Sequence, residues 1–415
     1  MKYLLVIGDG MADEPLPELG GKTPIEYAKT PAMDALASAG VLGSVLTVPT
    51  GMQAGSDTAI LSIFGYDPKI YLSGRAALEA AAKDISLAPG DIAYRCNVVS
   101  FEDGDLPFED KKILSHSADA IEGNVSDELL SVLCNNREFA KLADEAGIKF
   151  YPGSSFRHIA VQNEIKHGFA HPLIPPHDHI GETLGQHLPC GDENAELLTK
   201  LMKLAHEILN NHPINIDRRN DGKLPANGIW FWAEGTTVKL PSFTGKYGKT
   251  GAVISAVPLC QGIGVLIGLE KILVEGATGE LHTNYEGKVA AAIEALNTHD
   301  FATVHIEAPD ECTHNGDLKG KLQAIEWVDS RVVKPLLEKL GNSGTDFRMI
   351  VISDHRTLIS TRGHDGAAVP YILYDSGVDN NTGVTFSEKN AAEAVCNHVA
   401  AGTDLMGMLF DGESV

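Results

Sequence analysis

The chain has 415 residues, of which 43% are hydrophobic, so it can bury a large core and is long enough for two or three domains. Its 33 basic and 56 acidic residues give a formal net charge of −23, which favours solubility and argues against a nucleic-acid partner. An anionic substrate would therefore need local cations or metal ions.

Near its start the chain carries a short apolar run, Tyr3 to Ile7, which is followed by Asp9. Such a run predicts a buried strand with an acidic residue just beyond its end. Only five apolar residues follow Lys2, too few for a signal peptide. We therefore expect a cytoplasmic protein.

Ser56 lies in a Gly-Ser-Asp-Thr turn ahead of a helical pattern that continues to Phe64. Backbone amides at the start of a helix favour an anion such as a phosphoryl group. Taken alone, a serine in this position is more typical of a helix cap than of a nucleophile. A functional interpretation of Ser56 therefore depends on the polar residues elsewhere in the chain.

The middle of the chain has elements of its own. Alternating apolar runs at 94–101 and 150–161 predict strands, and the pattern at 193–209 predicts a helix. A loop at 172–189 is rich in proline and histidine, which is typical of a loop that lines a site but equally of a solvated surface. Trp230 and Trp232 are predicted to pack under this region. We expect it to form an inserted domain.

The last third of the chain repeats the pattern of an apolar run followed by polar residues. Phe301 to Ile306 precedes Asp310, and Met349 to Ile352 precedes Asp354. In an open parallel sheet the loops at the carboxyl ends of the strands line one crevice, so donors from distant sequence can converge there. These residues predict two metal sites around a serine nucleophile, and the candidates are Asp9, Ser56, Asp310, His314, Asp354, His355 and His364.

The spacing of these residues suits metal ligands. Asp310 and His314 are four residues apart, so that on a turn or a nascent helix they can share one ion. Asp354 and His355 are adjacent at a predicted strand end, where successive side chains diverge. This adjacent pair suits either two different ions or one ion and a bend in the backbone.

Three other patterns argue against other kinds of site. The glycines at 261–268 imitate a dinucleotide-binding fingerprint, but the third glycine is one position late. The same segment belongs to the most apolar stretch of the chain, and a proline interrupts that stretch, which argues against a membrane span. The segment 247–250 imitates the end of a phosphate loop, yet Phe243 stands where glycine is required. The six cysteines are widely spaced, which indicates reduced thiols and no zinc ribbon. We expect no nucleotide cofactor.

Longer strings resemble a known family. The arrangement of the seven residues, together with the strings at 19–24, 30–34, 64–68, 276–279 and 307–311, is similar to the alkaline phosphatase superfamily and, within it, to the cofactor-independent phosphoglycerate mutases of the archaeal type. A bacterial branch proposed to act as homoserine kinases is similar around 224–230 and 252–257.

The resemblance implies an α/β fold: an alkaline-phosphatase-like core with a mostly parallel sheet flanked by helices, plus an inserted α+β domain. The core would be 1–75 with 240–415, and 76–239 would bind substrate and act as a lid. It also implies that Asp9, Ser56, Asp354 and His355 hold one divalent ion, and that Asp310, His314 and His364 hold the other. Mn²⁺ or Zn²⁺ suits these ligands, Mg²⁺ is compatible with the oxygen-richer set, and no 2,3-bisphosphoglycerate is needed.

The implied reaction is the interconversion of 3- and 2-phosphoglycerate through a phosphoserine at Ser56. Alternatives are a homoserine kinase-like phosphotransferase, a metal-dependent phosphatase or phosphonate hydrolase, and a protein that keeps only a structural metal site. Ile60 stands where the mutases have histidine, and the usual lysine is shifted to Lys249, so the substrate contacts depart from the family pattern. The oligomeric state stays open, and the candidate substrate contacts are Arg75, Arg95, His116, Arg157, His158 and Lys249.

Overall fold

An eight-stranded sheet forms the centre of one of the two units into which the chain divides. The computed structural model describes residues 1–163, 171–236 and 239–411. The core unit consists of Met1–Leu72 and Lys239–Val415, and the insert unit is Ser73–Val238. The first segment of the core unit ends at residue 72, three residues before the predicted limit of 75. The insert unit ends at residue 238, one residue before the predicted limit of 239. Arg75 therefore belongs to the insert unit.

The strands of both units are short, as is usual for globular proteins. In chain order they are β1 Lys2–Gly8, β2 Val41–Val45, β3 Ile92–Phe101, β4 Ile113–Ser115, β5 Ile148–Ser154, β6 Arg157–Gln162, β7 Gly228–Thr236, β8 Gly251–Ile254, β9 Glu270–Ile272, β10 Phe301–Ile306, β11 Phe347–Ile352, β12 Arg356–Leu358, β13 Gly363–Asp365, β14 Val369–Asp375 and β15 His398–Val399.

The α-helices are α1 Pro24–Tyr27, α2 Pro31–Ala39, α3 Ser56–Ile63, α4 Pro68–Tyr71, α5 Arg75–Ala82, α6 Gly123–Asn135, α7 Arg137–Glu145, α8 Glu193–Leu209, α9 Pro213–Asn220, α10 Phe243–Tyr247, α11 Pro258–Leu266, α12 Tyr285–Thr298, α13 Ala308–His314, α14 Leu318–Trp327, α15 Lys334–Ser343, α16 Glu388–Glu393 and α17 Leu405–Asp411. Short 3₁₀ turns lie at Pro17–Leu19, Phe108–Asp110, Pro176–His179, Leu184–Gln186, Val395–Asn397 and Gly402–Asp404, and a π-helical stretch at Val328–Val333. Within the described residues, none of the helices combines the length and apolar composition needed to cross a bilayer.

The core sheet has the strand order β15-β2-β14-β11-β1-β10-β8-β9. Strand β14 pairs antiparallel with β11 and with β2, while the other neighbouring pairs are parallel. The prediction of an α/β core with a mostly parallel sheet is thus confirmed. The antiparallel strand β14 was not anticipated from the sequence.

Strand β1 lies at the centre of this sheet and sets the level of the site. Its residues Leu4 to Ile7 are fully buried between β10 and β11. In register, Gly8 pairs with Ile306 on one side and Ile7 pairs with Ile352 on the other. The residues that follow these three strands therefore leave the sheet at the same height and on the same edge.

The insert unit has a five-stranded antiparallel sheet in which β3 is central. Its order is β4-β3-β6-β5, and β7 pairs with β3. One large apolar cluster joins this sheet to α8 and includes Trp230 and Trp232, as expected for core residues. A second, smaller cluster packs Ala76 and Ala80 of α5 against Ile159.

Candidate metal centre

Three of the predicted ligands leave the core sheet side by side. Asp9 follows β1, Asp354 follows β11, and Asp310 lies in α13, which begins just after β10. All three carboxylates are buried. Gly10 has a left-handed backbone with φ of +59°, and a Cβ there would meet Thr357 and Asp310, so only glycine lets the chain turn this close to the ligands.

Ser56 is the first residue of α3, and the cap position before it is Gly55, which has no side chain to cap the helix. The Ser56 hydroxyl turns instead to the ligands. Its Oγ lies 3.2 Å from Asp9 Oδ2 and 3.1 Å from His355 Nε2. The structure therefore departs from the usual capping role of a serine at a helix start and places Ser56 among the candidate ligands.

The first candidate site combines Asp9, Asp354 and His355, whose ligand atoms lie within 4.8 Å of one another. His355 Nε2 is 3.5 Å from Asp9 Oδ1 and 3.3 Å from Asp354 Oδ2. The backbone bends at Asp354 and His355, which lets two adjacent side chains serve one ion. Among the described residues, Asp9 Oδ1 and Asp354 Oδ2 are buried without a hydrogen-bond partner.

Thr357 determines which nitrogen of His355 carries the proton. The Thr357 hydroxyl donates to Asp310 Oδ1 at 2.6 Å, so it must accept from His355 Nδ1 at 3.2 Å. Burial lowers the pKa of His355, which keeps the ring neutral. The lone pair on His355 Nε2 therefore faces two carboxylate oxygens, an arrangement that is repulsive unless a proton or a metal cation lies between them.

The second candidate site combines Asp310, His314 and His364. Asp310 and His314 lie one turn apart on α13, and His314 Nε2 is 3.1 Å from Asp310 Oδ2. His364, on the β12–β13 hairpin, places Nε2 3.3 Å from Asp310 Oδ1 and 3.0 Å from His314 Nε2. Backbone carbonyls of Arg362 and Ala54 face the other ring nitrogens, so both Nε2 atoms point at Asp310 and can bind a metal ion in place of a proton.

The ligand separations of about 3 Å are those expected when several atoms share one ion at about 2.1 Å. Buried partnerless carboxylate oxygens and converging imidazole lone pairs fit the same explanation. These residues therefore suit two divalent cations. The predicted ligand set comes together in the structure, divided between two neighbouring groups.

The pKa values follow from burial and from the density of carboxylates. Burial raises the pKa of Asp9 well above its ordinary value, and Asp354 and Asp310 add to the rise. Burial also opposes ionisation of Asp310, but hydrogen bonds from His314 and His364 outweigh it and hold that pKa well below the ordinary range. The hydrogen bond to Asp310 raises the pKa of His314 to about 9. Metal binding would therefore displace a proton from His314.

Two further residues at this edge were missed by the sequence analysis. His305, the fifth residue of β10, places Nε2 2.9 Å from Asp9 Oδ2, and its Nδ1 lies 3.0 Å from Ser255 Oγ. Glu307 has an oxygen 3.6 Å from the same imidazole nitrogen, and burial raises the pKa of Glu307 well above its ordinary value. A histidine within the apolar run Phe301 to Ile306 was a sequence signal for His305, although only the tertiary contacts show that its partner is Asp9.

Four of the predicted substrate contacts, Arg75, Arg95, His116 and Arg157, lie near one another in the insert unit. The buried Arg95 pairs with Glu79 and lies 4.7 Å above the Trp232 ring. Burial, then Arg95, lowers the pKa of Arg157 to about 10, and Arg157 Nε is buried without a hydrogen-bond partner among the described residues. Arg75 is the first residue of α5, and its charge also lowers the pKa of Arg157. Burial, then His177 and Arg157, lowers the pKa of His116.

His158 and Lys249 have other surroundings. His158 is fully buried, with Nε2 2.9 Å from Ser126 Oγ and Nδ1 accepting the Gly153 N–H at 3.0 Å, so both nitrogens are committed inside the insert unit. The Lys249 ammonium lies 5.5 Å above the Tyr3 ring, at the amino end of β1. Asp9 lies beyond the other end of that strand, about 20 Å away at the usual rise per residue. We therefore remove both residues from the candidate substrate contacts.

Comparisons with known proteins agree with one another. A family model described as 2,3-bisphosphoglycerate-independent phosphoglycerate mutase matches residues 37–215. The chain is 43% identical to the 2,3-bisphosphoglycerate-independent phosphoglycerate mutase of Methanosarcina acetivorans and 44% identical to that of Methanosarcina barkeri, in each case over 99% of both chains. The solved cofactor-independent phosphoglycerate mutase of Thermoplasma acidophilum superposes with a TM-score of 0.64 at 25% identity, over 99% of both chains.

Proposed function

Because the chain belongs to the family of 2,3-bisphosphoglycerate-independent phosphoglycerate mutases, we propose that it interconverts 3- and 2-phosphoglycerate with Ser56 as the nucleophile. It is an isomerase that acts on a small phosphorylated metabolite. The observation that carries the assignment of Ser56 is its contact with Asp9 and His355 at the start of α3.

In the proposed reaction Ser56 attacks the phosphoryl group in line with the bond that breaks. In the first half-reaction a bond forms between Ser56 Oγ and phosphorus while the bond from phosphorus to the glycerate oxygen breaks. In the second half-reaction the other glycerate hydroxyl attacks phosphorus, and Ser56 regains its hydroxyl. Backbone amides at the start of α3 would stabilise the charge that develops on the phosphoryl oxygens.

Divalent cations support this chemistry by neutralising phosphate charge and lowering the pKa of the serine hydroxyl. We propose that Asp9, Asp354 and His355, with Ser56, hold one ion, and that Asp310, His314 and His364 hold the other. Mixed nitrogen and oxygen donors suit Mn²⁺ or Zn²⁺, and the oxygen-richer first group also suits Mg²⁺. The covalent intermediate on Ser56 would remove the need for 2,3-bisphosphoglycerate as a phosphate donor.

Retention of glycerate between the half-reactions requires that water be kept from the phosphoserine. Asp9, Asp354 and His355 are fully buried, so the protein itself already shields one side of Ser56. We predict that the insert unit closes over the site. We also predict that Arg157 and the cations near it bind the charged groups of the substrate.

The test compares Ser56→Ala with Ser62→Ala, a buried serine on the same helix that contacts none of the candidate ligands. Removal of a covalent nucleophile is expected to lower turnover of 3-phosphoglycerate by a factor of at least about 10³. Mass spectrometry after rapid quenching should find a phosphate on wild-type Ser56 and on the Ser62→Ala protein, but none on Ser56→Ala.

Near-normal turnover by Ser56→Ala would show that water is the nucleophile and that the chain acts as a hydrolase. Parallel assays with homoserine plus ATP and with a generic phosphate ester test the two alternative activities. Turnover of either substrate faster than that of 3-phosphoglycerate would overturn the mutase proposal.

A further inference from the structure

A third set of metal-binding side chains lies in the insert unit, in the segment between β6 and α8. His179 ends the 3₁₀ turn Pro176–His179, and His187 follows the turn Leu184–Gln186. His179 Nδ1 lies 3.2 Å and His187 Nε2 lies 2.7 Å from the same oxygen, Glu182 Oε2. The three candidate ligand atoms lie within 4.8 Å of one another.

The backbone holds this cluster in place. Gly181 N–H donates to Ile113 O at 2.7 Å, and Ile113 N–H donates to Glu182 O at 3.0 Å. Leu184 N–H donates to Lys111 O at 2.8 Å. Glu182 is therefore fixed against β4 as if it were part of a strand, and a cation would bind a largely preformed set of ligands.

The two imidazole rings stack with their centroids 3.9 Å apart and an angle of 23° between their planes. If both rings were protonated, two positive charges would be stacked at this distance with only one carboxylate to balance them. Two neutral imidazoles and one carboxylate instead form a donor set that zinc commonly uses, with a fourth position left for water. The side chain of His187 is 10% exposed and that of Glu182 is 50% exposed, so an ion can reach the cluster from solvent.

We propose that His179, Glu182 and His187 bind one divalent transition-metal ion, with Zn²⁺ as the best match, at a site separate from the ligands of the core unit. The ion links the two 3₁₀ turns of this segment through His179 and His187. That segment also carries His177, whose ring lies 5.1 Å from the Trp232 ring, and Ile174, whose carbonyl accepts the Trp230 indole N–H at 2.8 Å. Metal binding therefore stabilises the packing of this segment against Trp230 and Trp232 of β7.

The experiment compares four forms of the whole chain: wild type, the double variant His179→Ala/His187→Ala, the single variant Glu182→Gln, and the control His171→Ala. His171 is an exposed histidine of the same unit that lies outside the cluster. Each protein is dialysed against buffered Zn²⁺ at about pH 7.5, where unpaired imidazoles are mostly neutral, and its zinc content is measured by elemental analysis. Circular dichroism checks that each variant is folded.

Wild type and His171→Ala should hold the same amount of zinc, and the double variant should hold one ion fewer per chain. Thermal unfolding should show the matching effect, with Zn²⁺ raising the midpoint of wild type more than that of the double variant. If the double variant does not fold, Glu182→Gln takes its place, since it keeps the size of the side chain and loses the charge. Equal zinc content in wild type and the folded variants would show that the cluster is only a hydrogen-bonded surface group and would overturn the proposal.

Discussion

The threonine between the two candidate metal groups offers a sensitive test of the site. Thr357 is fully buried, and its hydroxyl connects His355 Nδ1 to Asp310 Oδ1. Thr357→Val keeps the shape of the side chain and removes the hydroxyl, whereas Thr357→Ser keeps the hydroxyl and removes a methyl group. Any difference between the two variants therefore reports on the hydrogen bonds.

The valine variant leaves the His355 Nδ1–H buried without an acceptor, which costs about 1–3 kcal/mol. It also frees the imidazole to place its proton on Nε2, the atom that faces Asp9 and Asp354. Loss of a residue that orients a metal ligand typically weakens metal binding about 10- to 100-fold. We expect a decrease of that size for Thr357→Val and a decrease of less than about threefold for Thr357→Ser, which is at most about half of the free energy of a tenfold change.

The assay measures phosphoglycerate turnover at Mn²⁺ concentrations set by a chelator buffer, together with calorimetric titration of Mn²⁺ into metal-free protein. Turnover at saturating Mn²⁺ should recover in the valine variant, because the ligands themselves are still present. If Thr357→Val binds Mn²⁺ as tightly as wild type, or if Thr357→Ser is equally impaired, then Thr357 does not orient His355 and the proton assignment is wrong.

Three further predictions concern stability, substrate binding and metal removal. Burial raises the pKa of Glu388 from 4.5 to about 7, so the folded protein holds this proton over a pH range in which the unfolded chain has lost it. The free energy of unfolding should therefore fall by ~3 kcal/mol as the pH rises from 4.5 to 7. Glu388→Gln should reduce this dependence on pH, as measured by urea titrations at several pH values. Arg157→Gln should raise the KM for phosphoglycerate while leaving the melting temperature within a few degrees of wild type; an unchanged KM would remove Arg157 from the candidate contacts. A strong chelator should abolish turnover without loss of the helical circular dichroism signal, and added Mn²⁺ should restore it; turnover that survives complete metal removal would contradict a metal-dependent mechanism.

Much of the candidate site could be predicted because its residues follow apolar strands in the sequence. Asp9 and Asp354 each come two residues after the end of such a run, and parallel strands bring their carboxyl ends to one edge. The acidic and imidazole groups of Asp310 and His314 lie on one face of a helix, which the four-residue spacing indicates. Local sequence and sheet geometry were sufficient for these residues.

Other features depended on tertiary contacts that no local pattern reports. His305 was hidden inside an apolar strand, and only the register of β10 beside β1 places it next to Asp9. Lys249 resembled a shifted family lysine, but it precedes β8 and therefore lies at the amino end of the sheet. Strand β14 pairs antiparallel with β2, which lies more than 320 residues earlier in the sequence, whereas its other partner, β11, lies only about 20 residues earlier.

The central position of β1 also affects how the protein is made. Strand β1 leaves the ribosome well before both of its neighbours, because β10 and β11 are synthesised about 300 residues later, which takes roughly 15–60 s at usual translation rates. During that time the insert unit already has all of its strands and can fold, while an apolar strand and two candidate ligands, Asp9 and Ser56, have no sheet to join. Newborn chains are therefore expected to need protection of their first strand, and to acquire metal only after His364 has emerged.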